Sequence, residues 1–287
     1  MPIIQIDISL AYHVGQTGAD FILNIEGAKT KSQTIECESL SLSQNLFINR
    51  YVETVGMNRF LRFHAFQGEL EIKYTADIQL QHLFLNSTDI EEIPINELPS
   101  DVLTYLYPSR YCQSDRLTQL AMKQFGGLPK GYDRIAAIQD WVRRNVAFEM
   151  KSSNSSTSAL ETLSAGTGVC RDFAHLMIAL CRALGIPARY TTGIDYGADP
   201  ALGPSDFHAY VEVYLRNQWV IFDPSGVTTT LGLIRIGTGR DAADVSFASI
   251  YGDVTSSQPC INIKASDDSD RCLSLPTLVQ SVLSTDY

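Results

Sequence analysis

Residues 168–189 read GVCRDFAHLMIALCRALGIPAR, and this stretch decides the fold of the region around it. A glycine-containing loop precedes it, and the run Gly185-Ile186-Pro187 is typical of a helix end. Between these limits, apolar residues would cover most of the circumference of a helix. Because a helix that is apolar nearly all round is buried, we predict a central buried helix with Cys170 at its N-terminus.

Two cysteines share this predicted helix, and we expect them to differ. Cys170 lies beside a flexible loop, where the positive end of the helix dipole stabilises a thiolate. Cys181 follows about 16 Å further along the axis, at ~1.5 Å per residue. It falls inside the apolar run and should behave as a small inert hydrophobe. Cys170 is therefore the candidate nucleophile.

His175 lies near Cys170 in sequence, but helix geometry excludes it as the base for that thiol. The five residue steps from Cys170 to His175 turn the histidine by about 140° and raise it by about 7.5 Å. A general base must come within hydrogen-bond reach of its nucleophile. We expect His175, on a narrow polar strip with Arg171 and Arg182, to be a structural hydrogen-bond donor.

The candidate base lies in a second stretch, SDFHAYVEVYLRNQWVIFDPSG, residues 205–226. Its alternation of side chains predicts two strands, the second ending before Pro224. If Arg216-Asn217 form a two-residue turn, Leu215 faces Gln218 across the strand pair. A three-residue turn would shift the pairing and exchange the faces of one strand.

The two-residue turn makes His208 and Asp223 diagonal neighbours on one face of the strand pair. Asp223 could then orient the imidazole while the other ring nitrogen serves Cys170. Taken alone, His208 could be a buried strand histidine and Asp223 the start of an Asp-Pro turn. Together with a cysteine at a helix start, the order Cys, His, Asp favours a catalytic triad.

Composition and charge limit the class of protein. The chain has 287 residues, of which 45% are hydrophobic and 19% charged, as in folded globular proteins. The net charge of -10 argues against nucleic acid or an anionic membrane as a partner. The sequence shows no secretory signal and no apolar run of the roughly 18–20 residues that span a bilayer. We expect a cytoplasmic protein.

The pattern of the chain changes near residue 100, which predicts two domains and a tail. Residues 1–98 form the first, a β-rich antiparallel, sandwich-like domain; its clearest strand is GELEIKYTADIQL, with a hairpin turn expected at Gln67-Gly68. Residues 99–256 contain helical patterns, including one capped by Thr157 or Ser158. For residues 257–287 we predict an edge strand around CINIK, followed by a weakly ordered tail.

Three motifs resemble the bacterial transglutaminase-like family, which includes candidate cysteine proteases. They are GVCRDFAHLMIALCRALGIPAR at 168–189, DFHAYVEVYLRNQWVIFDPS at 206–225 and GRDAADVSFASIYGDV at 239–254. The β-rich region before them is similar, more weakly, to the N-terminal domain of that family. Tyr210 replaces a common tryptophan and Ala242 a common aromatic residue, which bears on substrate preference. We expect Arg240 and Asp241 of the third motif to form a structural ion-pair loop.

The resemblance implies an α+β fold, with a papain-like core whose nucleophile begins a central helix packed on an antiparallel sheet. It also implies that Cys170 is the nucleophile, His208 the general base and acid, and Asp223 the orienting residue.

The expected chemistry is acyl transfer at an amide through a thioester intermediate. Hydrolysis by a cysteine peptidase or amidase is the leading hypothesis, with a peptide, protein or other amide as substrate. No metal or organic cofactor is needed for it, and no C-x-x-C pair occurs among the six cysteines. The alternatives are a transglutaminase that transfers the acyl group to an amine, and a non-catalytic binding module on the same fold.

Overall fold

A computed structural model describes residues 3–54, 56–86, 90–196, 206–227, 232–266 and 282–286. Within these ranges the α-helices are α1 Thr118–Phe125, α2 Tyr132–Asn145, α3 Ala159–Ala165 and α4 Cys170–Ala183. The strands are β1 Ile3–Leu23, β2 Gln33–Leu42, β3 Asn49–Val52, β4 Arg59–Ala65, β5 Gly68–Leu80, β6 Leu83–Leu85, β7 Ala147–Phe148, β8 Thr167–Gly168, β9 Ala188–Asp195, β10 Phe207–Leu215, β11 Gln218–Phe222, β12 Leu233–Gly239, β13 Ala248–Ser256, β14 Cys260–Ser266 and β15 Val282–Asp286. None of these helices is long and apolar enough to span a membrane. The α+β class predicted from the sequence is confirmed.

The first sheet is built around the long strand β1. The alternation that predicted β5 is confirmed, because Leu70, Ile72, Tyr74, Ala76, Ile78 and Leu80 are all buried on one face. The predicted hairpin at Gln67-Gly68 is wrong. β5 and β4 pair with successive parts of β1, residues 3–14 and 19–23, instead of with each other. Both strands therefore pair with β1, which is distant in sequence, and not with each other through the local turn.

The strand pairing crosses the predicted domain limits. β13 and β14 pair with β1, so residues 248–266 return to the first sheet. β14 confirms the strand expected around CINIK. β6 and β15 belong to the second sheet instead. β15, Val282–Asp286, falls in the segment predicted to be a weakly ordered tail, so that part of the prediction is wrong. Residues 267–281 of that tail lie outside the described residues. The division at residue 98 itself stays a prediction.

The second sheet carries the buried helix that the opening stretch predicts. Its strand order is β12-β9-β10-β11-β15-β6. Helix α4 packs on β9 and β10, and α1, α2 and α3 pack around α4. All eleven residues from Asp172 to Arg182 are buried, which confirms the prediction of a helix enclosed by the core. The N-terminus of α4 is thereby held at a fixed position on the sheet.

The two sheets share an apolar core and a polar contact along β12. Ile194, Ile234 and Ile236 of the second sheet lie in the same cluster as the buried face of the first. The side-chain amide of Gln33 donates to the carbonyl of Arg235 and accepts from its N–H, each at 2.8 Å. Asn58 makes the same pair of 2.8 Å bonds with Thr238. These amides bond backbone groups at the open edge of β12, where the carbonyl of Arg235 also accepts from the N–H of Ala28.

We expect Asn58→Ala to lower the free energy of unfolding by about 3 kcal/mol. The substitution would leave the N–H and carbonyl of Thr238 buried without their partner, since Thr238 and Asn58 are both almost inaccessible. Urea unfolding measures the loss. Gln44 is a matched control, because its amide pairs in the same way with the backbone of Phe66 on an exposed surface. Water can replace those bonds, so Gln44→Ala should cost well under ~1 kcal/mol. Equal losses would contradict the edge-closing role.

Candidate active site

Helix α4 begins at Cys170, as predicted, and its first turn is held by a buried carboxylate. Asp172 accepts a hydrogen bond from the backbone N–H of Val169 at 2.9 Å and lies 3.1 Å from the guanidinium of Arg171. Asp172 is completely buried. The peptide immediately before Cys170 is therefore fixed. The side chain of Cys170 itself is partly exposed, so a substrate can reach the thiol.

Three of the other described cysteines, Cys37, Cys112 and Cys181, lie in surroundings that disfavour a thiolate. Cys112 and Cys181 are buried, and burial raises the pKa of Cys112 to about 12 and that of Cys181 further. Cys37 is exposed, but a hydrogen bond to the carboxylate of Asp77 raises the pKa of its thiol. The inert behaviour predicted for Cys181 follows from this burial.

We expect iodoacetamide to alkylate Cys170 faster than Cys37, Cys112 or Cys181 at pH 6. Cys170 is partly exposed to the reagent, whereas burial at Cys112 and Cys181 and a carboxylate partner at Cys37 disfavour the reactive thiolate. Mass-spectrometric mapping of a time course on native protein measures the order. If Cys181 were labelled before Cys170, the assignment of the nucleophile would be wrong.

The turn between β10 and β11 has the two-residue form on which the predicted site depends. Arg216 and Asn217 both have positive φ, 48° and 61°, as a two-residue hairpin turn with a right-handed twist requires. Leu215 pairs with Gln218, and the same register continues along the strands. The predicted pairing is confirmed, so His208 and Asp223 share a face.

His208 and Asp223 lie close together in this pair. His208 Nε2 is 3.5 Å from Asp223 Oδ1, and both side chains are more than nine-tenths buried. Asp223 Oδ1 also accepts hydrogen bonds from the N–H and hydroxyl of Ser225, at 2.9 and 2.6 Å. A separation of 3.5 Å is long for a hydrogen bond, and such contacts in unliganded sites commonly shorten when substrate binds.

Cys170 lies close enough to His208 for a charge on its sulfur to act on the imidazole. Burial is the largest effect and would lower the pKa of His208, but the negative charge of a Cys170 thiolate, the adjacent carboxylate of Asp223 and the charge of Asp195 together outweigh it. The pKa of His208 therefore lies well above its usual value of 6.5. Because the pKa of His208 is raised on folding, its protonation stabilises the folded state fully below about pH 6.5, and this contribution is lost as pH rises through the higher pKa of the folded state.

His175 is a structural residue, although the predicted hydrogen-bond role is reversed. Its ring is completely buried between Tyr111 and Tyr190, with centroids 4.9 and 5.3 Å away. Its Nε2 accepts a 3.2 Å hydrogen bond from the N–H of Ala242, so it is an acceptor and not the expected donor. Burial, helped by nearby arginines, holds the pKa of His175 well below 6.5. Because burial disfavours the charged form of the imidazole, the enclosed ring is neutral.

The loop at 240–244 supports His175 and holds an ion pair, but the partner of Arg240 is Asp244 and not Asp241. Arg240 pairs with Asp244 at 2.9 Å. Asp241 accepts hydrogen bonds at 2.9 Å from the N–H groups of Tyr111 and Ala243. These bonds fix the backbone of Ala242 that contacts the histidine.

Several side chains around the site escaped sequence reasoning. Arg143 of α2 donates to the carbonyl oxygen of Asp223 and so ties the end of β11 to that helix. Tyr190 is buried, and burial is the main cause that raises the pKa of its phenol. The second cause is the negative charge of Cys170, so the two side chains lie close together. Only the position of Asp172, in the first turn of α4, could have been found as a helix-start signal. Arg143 and Tyr190 are placed near the site by helix packing and strand pairing, which the local sequence does not reveal.

The arrangement fits nucleophilic chemistry that needs no metal. Among the residues that the structure describes, no group of three or more His, Cys, Asp or Glu side chains is placed to hold a metal ion. A partly exposed thiol at a helix start, an imidazole near it and a carboxylate beside the imidazole can together attack a carbonyl and move a proton.

Two family models match this chain. The one described as the transglutaminase-like superfamily matches residues 118–224, a region that includes Cys170, His208 and Asp223. The one described as the N-terminal domain of bacterial transglutaminase matches residues 4–101.

Solved and curated proteins agree with these matches. The crystal structure of a candidate cysteine protease from Cytophaga hutchinsonii is 38% identical with a TM-score of 0.91, over 99% of this chain and 97% of that one. The uncharacterized protein ML0607 of Mycobacterium leprae is 25% identical over 224 residues, 71% of this chain and 79% of its own length. Mb2599c of Mycobacterium bovis is 37% identical over 146 residues, and the match spans 46% of each chain.

Proposed function

Because the chain belongs to the transglutaminase-like superfamily, a family of thiol-dependent acyl transfer, we propose that it hydrolyses amide bonds through Cys170, His208 and Asp223. The observation that carries the proposal is that His208 Nε2 lies 3.5 Å from Asp223 Oδ1, in an imidazole close enough to Cys170 for the charge of its sulfur to act on the ring. This is the arrangement that a nucleophile, its base and an orienting carboxylate require.

The first step is attack of the Cys170 thiolate on the carbonyl carbon of the amide. A C–S bond forms while the carbonyl π electrons move to oxygen, which gives a tetrahedral oxyanion. The backbone N–H of Cys170 is a natural donor to this oxyanion, because the first N–H groups of a helix have no partner within the helix. The fixed peptide of Val169 keeps that N–H in place as the charge develops.

The second step expels the amine and the third restores the thiol. The His208 imidazolium gives its proton to the amide nitrogen as the C–N bond breaks, leaving a thioester on Cys170. Neutral His208 then takes a proton from a water that attacks the thioester. The C–S bond breaks, the carboxylic acid leaves, and the thiolate–imidazolium pair forms again. Asp223 holds the ring orientation throughout and stabilises the imidazolium.

Two observations support water as the acceptor of the acyl group. The thiol is partly exposed, so water can reach the thioester without displacing part of the protein. The relative from Cytophaga hutchinsonii, similar over nearly the whole chain, is described as a candidate protease. A peptide, a protein or another amide is therefore the proposed substrate. The cytoplasmic location, and the lack of a nucleic-acid or membrane partner, stay predictions.

A panel of peptide and amide substrates tests the proposal, with wild type beside Cys170→Ala. We expect wild type to release amine or ammonia, and Cys170→Ala to release none above background. Cys260→Ser is the matched control, because that cysteine is exposed on the first sheet, away from α4. It should keep full activity.

The same panel carries a fluorescent primary amine to detect transfer. Incorporation of this amine without hydrolysis would assign the protein as a transglutaminase and overturn water as the acceptor. If wild type turned over no substrate and Cys170 showed no preferential labelling, the fold would serve as a binding module. Turnover retained in Cys170→Ala would overturn the thiol mechanism itself.

A further inference from the structure

A second carboxylate, Asp195, lies on the opposite side of His208 from Asp223. In the pairing of β9 with β10, His208 stands opposite Gly193. Asp195 is two residues beyond Gly193, so it lies on the same face as His208 and is its diagonal neighbour. Asp223 has the same diagonal relation to His208 from β11. Because β9 and β11 flank β10, the two carboxylates approach the imidazole from its two neighbouring strands.

The surroundings of His208 make a charge at Asp195 effective. Asp195 is only 5% exposed and His208 only 8%, so water screens their interaction poorly. Within the described part of the chain, the groups facing His208 are the Cys170 thiol from α4, Asp223 at the end of β11, Asp195 from β9 and the Tyr210 ring 4.7 Å away on β10. The charge of Asp195 is among those that raise the pKa of His208. Asp206, just before β10, lies close enough that the charge of His208 acts on it.

We propose that Asp195 is a positioning residue that, together with Asp223, holds His208 as an imidazolium facing the thiolate. This inference rests on the proposed function, in which His208 must be protonated when the amine leaves.

The proposed role has a definite consequence for the reaction. The imidazolium must persist until the C–N bond breaks, because the departing nitrogen needs its proton at that moment. Asp223 alone can orient the ring, since it lies next to Nε2. A second buried negative charge on the other flank extends the pH range over which the proton stays on the ring. Asp195 therefore extends the alkaline limit of activity beyond that given by Cys170 and Asp223, while Asp223 also sets the orientation of the ring.

Titration of the histidine rings by NMR in wild type and Asp195→Asn tests this directly. We expect the midpoint of the His208 titration to move down by about one pH unit, the scale for one unit charge roughly 7–8 Å away in a poorly screened site. Asp140→Asn, which removes an exposed carboxylate on α2, is the matched control and should leave the midpoint unchanged. The buried ring of His175 serves as an internal reference in each sample.

A measurement on wild type keeps the inference testable even if Asp195→Asn does not fold. The side-chain carboxyl carbon of Asp195 should show an inflection at the pH where the His208 ring titrates. Absence of that inflection, or an unchanged His208 midpoint in folded Asp195→Asn, would overturn the role of Asp195.

Kinetics separate the failure of this inference from the failure of the proposed function. The alkaline limb of kcat/KM should move down by about one unit in Asp195→Asn, with KM unchanged. If no amide is hydrolysed at all, the proposed function fails, whereas the NMR titrations still decide whether Asp195 acts on His208. If amide hydrolysis is observed and its alkaline limb does not move, Asp195 has no positioning role and the triad alone stands.

Discussion

Asp223→Asn should lower the amide-hydrolysing rate by about a thousandfold or more, while the fold is kept. Asparagine has nearly the same shape, but it cannot stabilise the imidazolium and it no longer dictates which ring nitrogen carries the proton. Ser225 can still donate to the side-chain oxygen that replaces Asp223 Oδ1, so the loop should stay in place. Rates and thermal melts on the same samples measure both effects.

His175→Gln is the comparison for this prediction, since it changes the histidine that lies nearer to Cys170 in sequence. Its ring is enclosed by Tyr111 and Tyr190. Its loss should therefore lower the melting temperature, but leave the rate within a few-fold at temperatures where the variant is folded. Equal losses of rate from both substitutions in folded protein would mean that the base had been assigned to the wrong histidine.

Glu212→Ala should lower the free energy of unfolding by about 3–5 kcal/mol, the usual cost of removing one partner from a buried ion pair. Glu212 is completely buried on β10 and lies 2.6 Å from the guanidinium of Arg189 and 3.6 Å from that of Arg235. Arg189 also covers the ring of Trp219 at 4.1 Å. Without Glu212, two buried guanidinium groups would lose the carboxylate that they share. Chemical denaturation measures the change.

The exposed pair of Lys73 with Asp7 is the control for Glu212→Ala. Its atoms are 3.0 Å apart, but the lysine side chain is 55% exposed. Lys73→Met should change stability by less than about 1 kcal/mol, because water screens and replaces the interaction. If the two substitutions cost the same, the three charges on β9, β10 and β12 would not form a strongly coupled cluster.

Local sequence predicted most of the candidate site because its parts depend on short-range rules. The start of α4 at Cys170 follows from a loop, an apolar run and a helix end within 22 residues. The register of β10 and β11 follows from a two-residue turn. Helix geometry excluded His175 without any knowledge of the fold. Its acceptor role was missed because Ala242, the donor, lies 67 residues away.

Long-range pairing explains where sequence reasoning failed. Alternation predicts that β5 has one buried face, but it carries no information on which strand lies beside it. β4 and β5 therefore look like a hairpin, although both pair with β1. In the same way, nothing local to residues 248–256 shows that they return to β1 and not to the nearby core. Gln33 and Asn58 give no sequence signal for the edge that they close.

The sequence by itself determined the buried helix, the cysteine at its start and the shared face of His208 and Asp223. Each of these depends on periodicity or turn geometry within a short segment, where the backbone has few alternatives. Only the tertiary structure decided that Cys170 reaches His208, and that Asp195 lies beside the imidazole. Those contacts require α4 to pack on the sheet and β9 to pair with β10 in one register. The energy that selects this packing is spread over many apolar contacts distant in sequence, so no single segment encodes it.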